Sequence, residues 1–208
     1  MLRASVWLLG LALATSLAAQ ERVTTASGRV VLLYPDGTWK YAPTATTPAT
    51  TAPGAVVERT RPRESIARVD FARGKASLYY DPNKWRETQA SEPGRVNLTH
   101  VDGDSYAVVI AERLQLTIDA LRQIALTNAQ SAAPDAEIVS QERRRVNGHD
   151  VMVLQIKGSV QGIGFVYFGY YYVGPEGTFQ VLTYTSTNLF DEYKGQFELL
   201  LDGFTINP

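Results

Sequence analysis

Residues 150–187 read DVMVLQIKGSVQGIGFVYFGYYYVGPEGTFQVLTYTST. Three runs rich in Val, Ile, Phe, Tyr and Thr are separated by glycine-bearing turns, the signature of consecutive antiparallel strands. Side chains alternate across a strand. Phe165, Tyr167, Tyr171 and Val173 therefore share one face of the middle run, and Val166, Phe168, Tyr170 and Tyr172 share the other. Two aromatic faces predict a central strand covered on both sides. An uncovered face would instead be an apolar, hydroxyl-bearing patch suited to a partner or ligand. Tyr167, Tyr170, Tyr171 and Tyr172, with Trp85, form that candidate partner or ligand face.

Working outward, Asn147-Gly148 is a hairpin turn between strands over 137–145 and 150–157. Downstream, Phe190, Tyr193, Phe197 and Leu200 recur at helical spacing. Asn188 is the expected N-cap, Asp191 and Glu192 suit the positive helix end, and Gly203 stops the helix before a short strand at 204–206. Upstream, Leu114, Ile118, Leu121 and Ala125 share one face of a helix over 114–129, with Pro134 blocking its continuation. Strands are predicted at 75–80, 95–101 and 106–111. Asp81-Pro82-Asn83-Lys84-Trp85 is a turn that plants Trp85, and 86–94 reads as a polar loop. Strands in runs with helices between them indicate an α+β fold: a twisted antiparallel β-sheet flanked by helices.

The chain of 208 residues divides as follows. Residues 1–19 read as a cleaved signal peptide, with Arg3 before an apolar run and small residues at its end. The competing reading, an uncleaved anchor, needs a run long enough to cross about 30 Å of hydrocarbon. Residues 20–43 form a small β unit around the Asp36-Gly37 turn, with Trp39 as its packing residue or a ligand platform. Residues 44–63 are a Thr/Ala/Pro linker, expected to be extended, whose end at 58–63 carries three arginines in a solvated setting. Residues 64–208 are the main domain. A periplasmic or secreted location follows, with no membrane span after signal cleavage.

A net charge of −1 argues against nucleic acid as a partner. The absence of cysteine excludes disulfides, thiolate metal sites, a cysteine nucleophile and a lipidated N-terminal cysteine. His100 and His149 are the only histidines and are expected at the surface; no metal or cofactor site is assigned to them. Gly103-Asp104-Ser105 lacks nucleophile-elbow spacing and sits between strands rather than before a helix. Gly162-Ile163-Gly164 precedes a strand, so it is a hairpin and not a phosphate cradle. Asp102-Gly103-Asp104 lacks the further ligands of a calcium loop. An enzyme would need a cleft that gathers Asp81, His100, Glu112 and Asp119 from distant positions.

The segments DPNKW (81–85), VNGHDVMVLQ (146–155) and FVYFGYYYVGPEGTFQVLTYTSTNLFDEYKGQFELLLDGF (165–204) resemble the PsbP-like α/β/α sandwich, which includes exported bacterial proteins of the DcrB and LpqN type. The stretch 25–41 separately resembles a short "DGTW" segment near the start of exported bacterial proteins. The sandwich resemblance covers about residues 65–207 and rests on hydrophobic residues and turns. It implies a sheet with helices on its faces, a binding or assembly role with a protein partner in the envelope, and no shared active site. A small-molecule or lipid carrier, with a pocket between the sheet and the 114–129 helix, is the alternative.

Overall fold

The computed structural model describes residues 21–24, 30–33, 39–41, 56–90, 94–112 and 114–207, the first three segments as backbone alone. The signal peptide, the linker up to residue 55 and the side chain of Trp39 lie outside the described residues. The chain divides into two units between Ala42 and Pro43.

The first unit holds an antiparallel sheet of β1 (Glu21–Thr24), β2 (Val30–Leu33) and β3 (Trp39–Tyr41), in that order. Val31 faces Tyr41 and Leu33 faces Trp39 across β2 and β3; the Asp36-Gly37 turn expected between them lies outside the described residues.

The second unit begins with β4 (Val57–Arg59), β5 (Ala67–Phe71), β6 (Ala76–Tyr80) and β7 (Trp85–Thr88). Next come β8 (Arg95–His100), β9 (Ser105–Glu112) and α1 (Ile118–Ala132). Then follow β10 (Glu137–Val146), β11 (His149–Val160), β12 (Ile163–Gly174) and β13 (Gly177–Ser186). The chain closes with α2 (Phe190–Leu201) and β14 (Phe204–Ile206). The large sheet has eight strands in the order β4-β10-β11-β12-β13-β9-β8-β7, and a small sheet has the order β14-β6-β5. All pairings are antiparallel except β4 with β10. The α+β sandwich read from the sequence is the fold observed.

The aromatic strand β12 lies inside the large sheet, flanked by β11 and β13. Its even-numbered face, with Phe168, Tyr170 and Tyr172, is buried beneath α2 and the small sheet. Phe190, Tyr193, Phe197 and Leu200 of α2 are all buried there, as their spacing predicted, together with Phe71, Leu78 and Phe204. The odd-numbered face packs on α1 through Leu121, Ala125 and Ala129, against Met152, Leu154, Ile156 and Tyr171.

Local structure departs from the sequence reading at five places. The first helix starts at Ile118, because the Thr117 side chain accepts the Ala120 amide at 3.2 Å and caps it; Leu114 is left 71% exposed before the helix. The second helix starts at Phe190 without a side-chain cap, so Asn188 lies too early to serve as one. Gly203 is required by crowding: a Cβ there would sit 1.9 Å from the Tyr79 carbonyl oxygen, on a strand whose Tyr79 amide bonds to Gly203 O at 2.9 Å. The polar run after Trp85 contributes edge strand β7, whose Arg86 and Glu87 register with Thr99 and Leu98. The arginine-rich end of the linker contributes β4, and Arg59 bonds to Glu198 of α2 at 3.0 Å.

Candidate functional site

A helix is about 10 Å wide and strands lie about 4.8 Å apart, so one helix covers two or three strands. On one face of the eight-stranded sheet, α1 lies over β10, β11 and β12. Among the described residues no second helix covers β13, β9 and β8 on that side. The result is a groove of about 460 Å³, with α1 as one wall and those strands as its floor. Ala125, Asn128 and Ala129 form the helical wall, and Arg95 and Asn97 of β8 lie at the far side. Between them the floor carries Tyr167, Tyr171, Gln180, Leu182, Tyr184, Val108 and Ile110.

Register explains why these side chains meet. Tyr167 pairs with Tyr184, and Tyr184 pairs with Tyr106, so three tyrosines stand in one row across β12, β13 and β9. Their rings touch: Tyr167 and Tyr184 are 5.4 Å apart, Tyr106 and Tyr184 are stacked at 5.3 Å, and Phe165 meets Tyr167 edge-on at 5.0 Å. Two rows along, Tyr171 pairs with Gln180, Gln180 with Ile110, and Ile110 with Arg95. In the row between them is Gly169, where a Cβ would approach Leu182 Cδ2 to 2.6 Å. The absent side chain lets Leu182 lie low across the floor.

The groove is polar through neutral groups. Gln180 donates to Glu112 Oε1 at 2.5 Å. The hydroxyls of Tyr167, Tyr171 and Tyr184 make no hydrogen bond within the described residues, whereas Tyr106 donates to Gly103 O at 2.8 Å. Burial pushes all three phenols above the usual tyrosine range, so they remain O–H donors at neutral pH. Arg95 is the one residue with a formal charge among those lining the groove.

The five residues proposed from sequence do not form one exposed face. Tyr167 and Tyr171 belong to the groove. Tyr170 and Tyr172 point to the opposite side, where they are buried. Tyr170 accepts from Arg144 Nη1 at 3.2 Å and donates to Asp202 Oδ1 at 2.7 Å, and Tyr172 donates to Glu176 at 2.6 Å. Trp85 is 2% exposed beneath α2, with His100 and Phe197 as ring neighbours at 5.1 and 6.3 Å. The strand period splits the four tyrosines of β12 between two faces, and α2 with the small sheet closes one of them.

His100 is buried, contrary to the surface position expected for it. It is 3% exposed between Trp85 and Tyr193, because the α2 face of β8 is core. Its Nδ1 accepts the Asp102 amide at 3.4 Å, and its Nε2 has no hydrogen-bond partner among the described residues. Glu112 and His100 stand on opposite faces of the sheet, Asp81 closes the turn before Trp85, and Asp119 is in the first turn of α1. The four groups that a catalytic cleft would need are therefore dispersed. Among the described residues no group of three or more His, Asp or Glu side chains is placed to hold a metal ion. No signal in the sequence marked Asn97, Val108 or Gln180 as groove residues, since their proximity arises from strand order alone.

No protein-family profile matches the sequence, and no curated protein matches it. Solved structures do match. Cyanobacterial PsbP (CyanoP) from Synechocystis sp. PCC 6803 aligns over 76% of this chain and 98% of its own, at 14% identity and a TM-score of 0.51. The Saccharomyces cerevisiae Ran-binding protein Mog1p aligns over 67% and 94%, at 6% identity and a TM-score of 0.45. LpqN of Mycobacterium tuberculosis, involved in cell envelope biogenesis, aligns over 64% and 83%, at 13% identity and a TM-score of 0.38. The likeness to CyanoP shows a PsbP-like fold.

Proposed function

We propose that this chain is a non-enzymatic binding protein, exported to the bacterial envelope, that holds a compact ligand in the half-roofed groove beside α1. The observation that carries this reading is the groove itself. Its volume of about 460 Å³ falls in the range of small-molecule sites, and its accessible lining is mainly polar, set among aromatic and aliphatic side chains. A sandwich with a solid core on both faces would have left no such space. Export rests on the leader-like residues 1–19. No helix among the described residues is long and apolar enough to cross a membrane.

The test is native mass spectrometry of protein purified from its own envelope fraction, beside a Val108→Trp variant. Val108 lies in the open floor, and an aromatic residue on a strand fills that space without disturbing the ladder. The wild type is expected to carry an added small mass that the variant lacks. Equal added mass on both proteins, or none on either, rejects the reading. A second reading is docking of a protein partner on the same face. It is favoured by the tyrosine row running out of the groove to Tyr106, which is 37% exposed. A partner recovered with the wild type and lost from the variant selects it.

A further inference from the structure

Asn147 is the one asparagine in the chain followed by glycine. Such a pair is chemically labile, and asparagine is among the residues that heat damages first. Gly148 is exposed, with nothing within 4 Å of where a Cβ would sit, so nothing crowds that side of the turn. The Asn147 side chain, by contrast, is half-buried and joins three separate parts of the chain. Its Oδ1 accepts the Arg61 amide at 2.8 Å, just beyond β4. Its Nδ2 donates to the carbonyl oxygens of Asp202 at 2.9 Å and Phe204 at 2.7 Å, at the corner between α2 and β14. Both hydrogens of that amide are thereby used. The backbone amide of Asn147 donates to Arg59 O at 2.9 Å, and the residue sits at φ 49°, the left-handed conformation that a two-residue hairpin turn demands.

We infer that Asn147 is a deamidation site guarded by the fold. In the reaction the Gly148 nitrogen attacks Asn147 Cγ. A C–N bond forms, the Cγ–Nδ2 bond breaks, and Nδ2 leaves as ammonia, taking the Gly148 amide proton. Water then opens the resulting ring at either carbonyl and gives aspartate or isoaspartate. For Cγ to reach the Gly148 nitrogen, the side chain must leave Arg61, Asp202 and Phe204 together. Ring closure therefore waits for a local opening in which the β4 segment and β14 part from the hairpin. The product cannot reseal that corner. An aspartate still accepts from Arg61, but it has no hydrogen to give and sets a carboxylate against two carbonyl oxygens. Isoaspartate adds a carbon to the backbone of a turn that now pairs Val146 with His149 across two residues. A transient opening is thus converted into a permanent one, and the chains in which it happened are chemically marked.

The experiment incubates the full chain at mildly alkaline pH and follows Asn147 by peptide mapping, which separates the aspartate and isoaspartate peptides from the parent. The folded wild type is expected to convert at least about tenfold more slowly than the same chain in urea, the worth of two or three net hydrogen bonds. Arg59→Ala combined with Arg61→Ala loosens the guard and should speed conversion about fivefold. Leu121→Ala lowers stability on the other face of the sheet, under α1, and should leave the rate unchanged. Asn147→Asp carries the product from the start. Its Tyr79 amide, which bonds to Gly203 O beside the released corner, should exchange with solvent about tenfold faster, while β12 amides keep their protection. If that variant does not fold, the same exchange is read on wild-type protein converted in the first incubation. Equal conversion in folded and unfolded chains, or equal acceleration by Leu121→Ala and the arginine pair, would overturn the guarded site. Unchanged Tyr79 exchange in the aspartate-bearing chain would overturn the permanent opening.

Discussion

His100 shows how one residue acquires a property from packing. Burial pushes its pKa below the ordinary 6.5; Asp102 and Asp104 oppose this only in part, and Lys84 adds to it. The unfolded chain therefore takes up the proton first as pH falls. The stability tied to neutral His100 is whole above pH 6.5 and is lost as pH drops through 6.5 towards the folded value. Asp202 runs the other way. Burial raises its pKa above 3.8 against the pull of Tyr170, Arg59 and Arg144, so its contribution is whole below 3.8 and is lost as pH rises through the folded value. His100→Gln separates the two, because Asp202 is common to both proteins. The wild type is expected to lose melting temperature between pH 7.5 and 5.5, and the variant to show a flatter profile. Parallel profiles would mean that His100 is not the titrating group.

At the scale of elements, the two helices are held differently. α2 buries Phe190, Tyr193, Phe197, Leu200 and Leu201, and each large side chain contributes about 1.5–3 kcal/mol. α1 buries Leu121, Ala125 and Ala129, so it lies close to the sheet with little apolar area. Its narrow footprint is also what leaves the groove. The junction of α2 and β14 has no such slack. Gly203→Ala would drive a Cβ into the Tyr79 carbonyl and part β14 from β6. Chemical denaturation should show a loss of about 3 kcal/mol or more. An effect below about 0.5 kcal/mol would show that the backbone there moves freely.

For the molecule as a whole, the β4 segment belongs with the main unit. Arg59 meets Glu198 at 3.0 Å, the Arg61 guanidinium lies 4.2 Å from the centre of the Tyr79 ring, and the Arg61 amide bonds to Asn147 Oδ1 at 2.8 Å. Arg144 joins the same cluster through Glu142, Glu198 and Tyr170. Exposed pairs of this kind are worth little singly but add when they share a segment. The pair of changes Arg59→Ala and Arg61→Ala should cost about 1–2 kcal/mol, a fall of roughly 4 °C in melting temperature. Arg63→Ala, exposed two residues on, is the control and should leave it unchanged. Equal effects from all three arginines would mean that only net charge matters. At lower pH still, four surface carboxylates matter: Asp70, Asp135, Asp150 and Glu176 have pKa values lowered, chiefly by side-chain hydrogen bonds to Ser77, Ser159, Arg145 and Tyr172 in turn. Their contribution is present above the ordinary carboxylate range and is lost as pH falls through the folded values.

The sequence by itself determined the fold class, the central position of Phe165–Val173, the hairpin turn at Asn147-Gly148 and the buried stripe of α2. Each depends on periodicity or on turn chemistry, which are local. The groove was not legible in that way. Only the tertiary structure decided that Tyr167 and Tyr171 stay near an opening while Tyr170 and Tyr172 are sealed, that His100 is core, and that Arg59 is a clamp. These facts depend on how many strands one helix can cover and on which distant strands become neighbours. A sheet eight strands wide outruns a single helix, and the space left over is the candidate site.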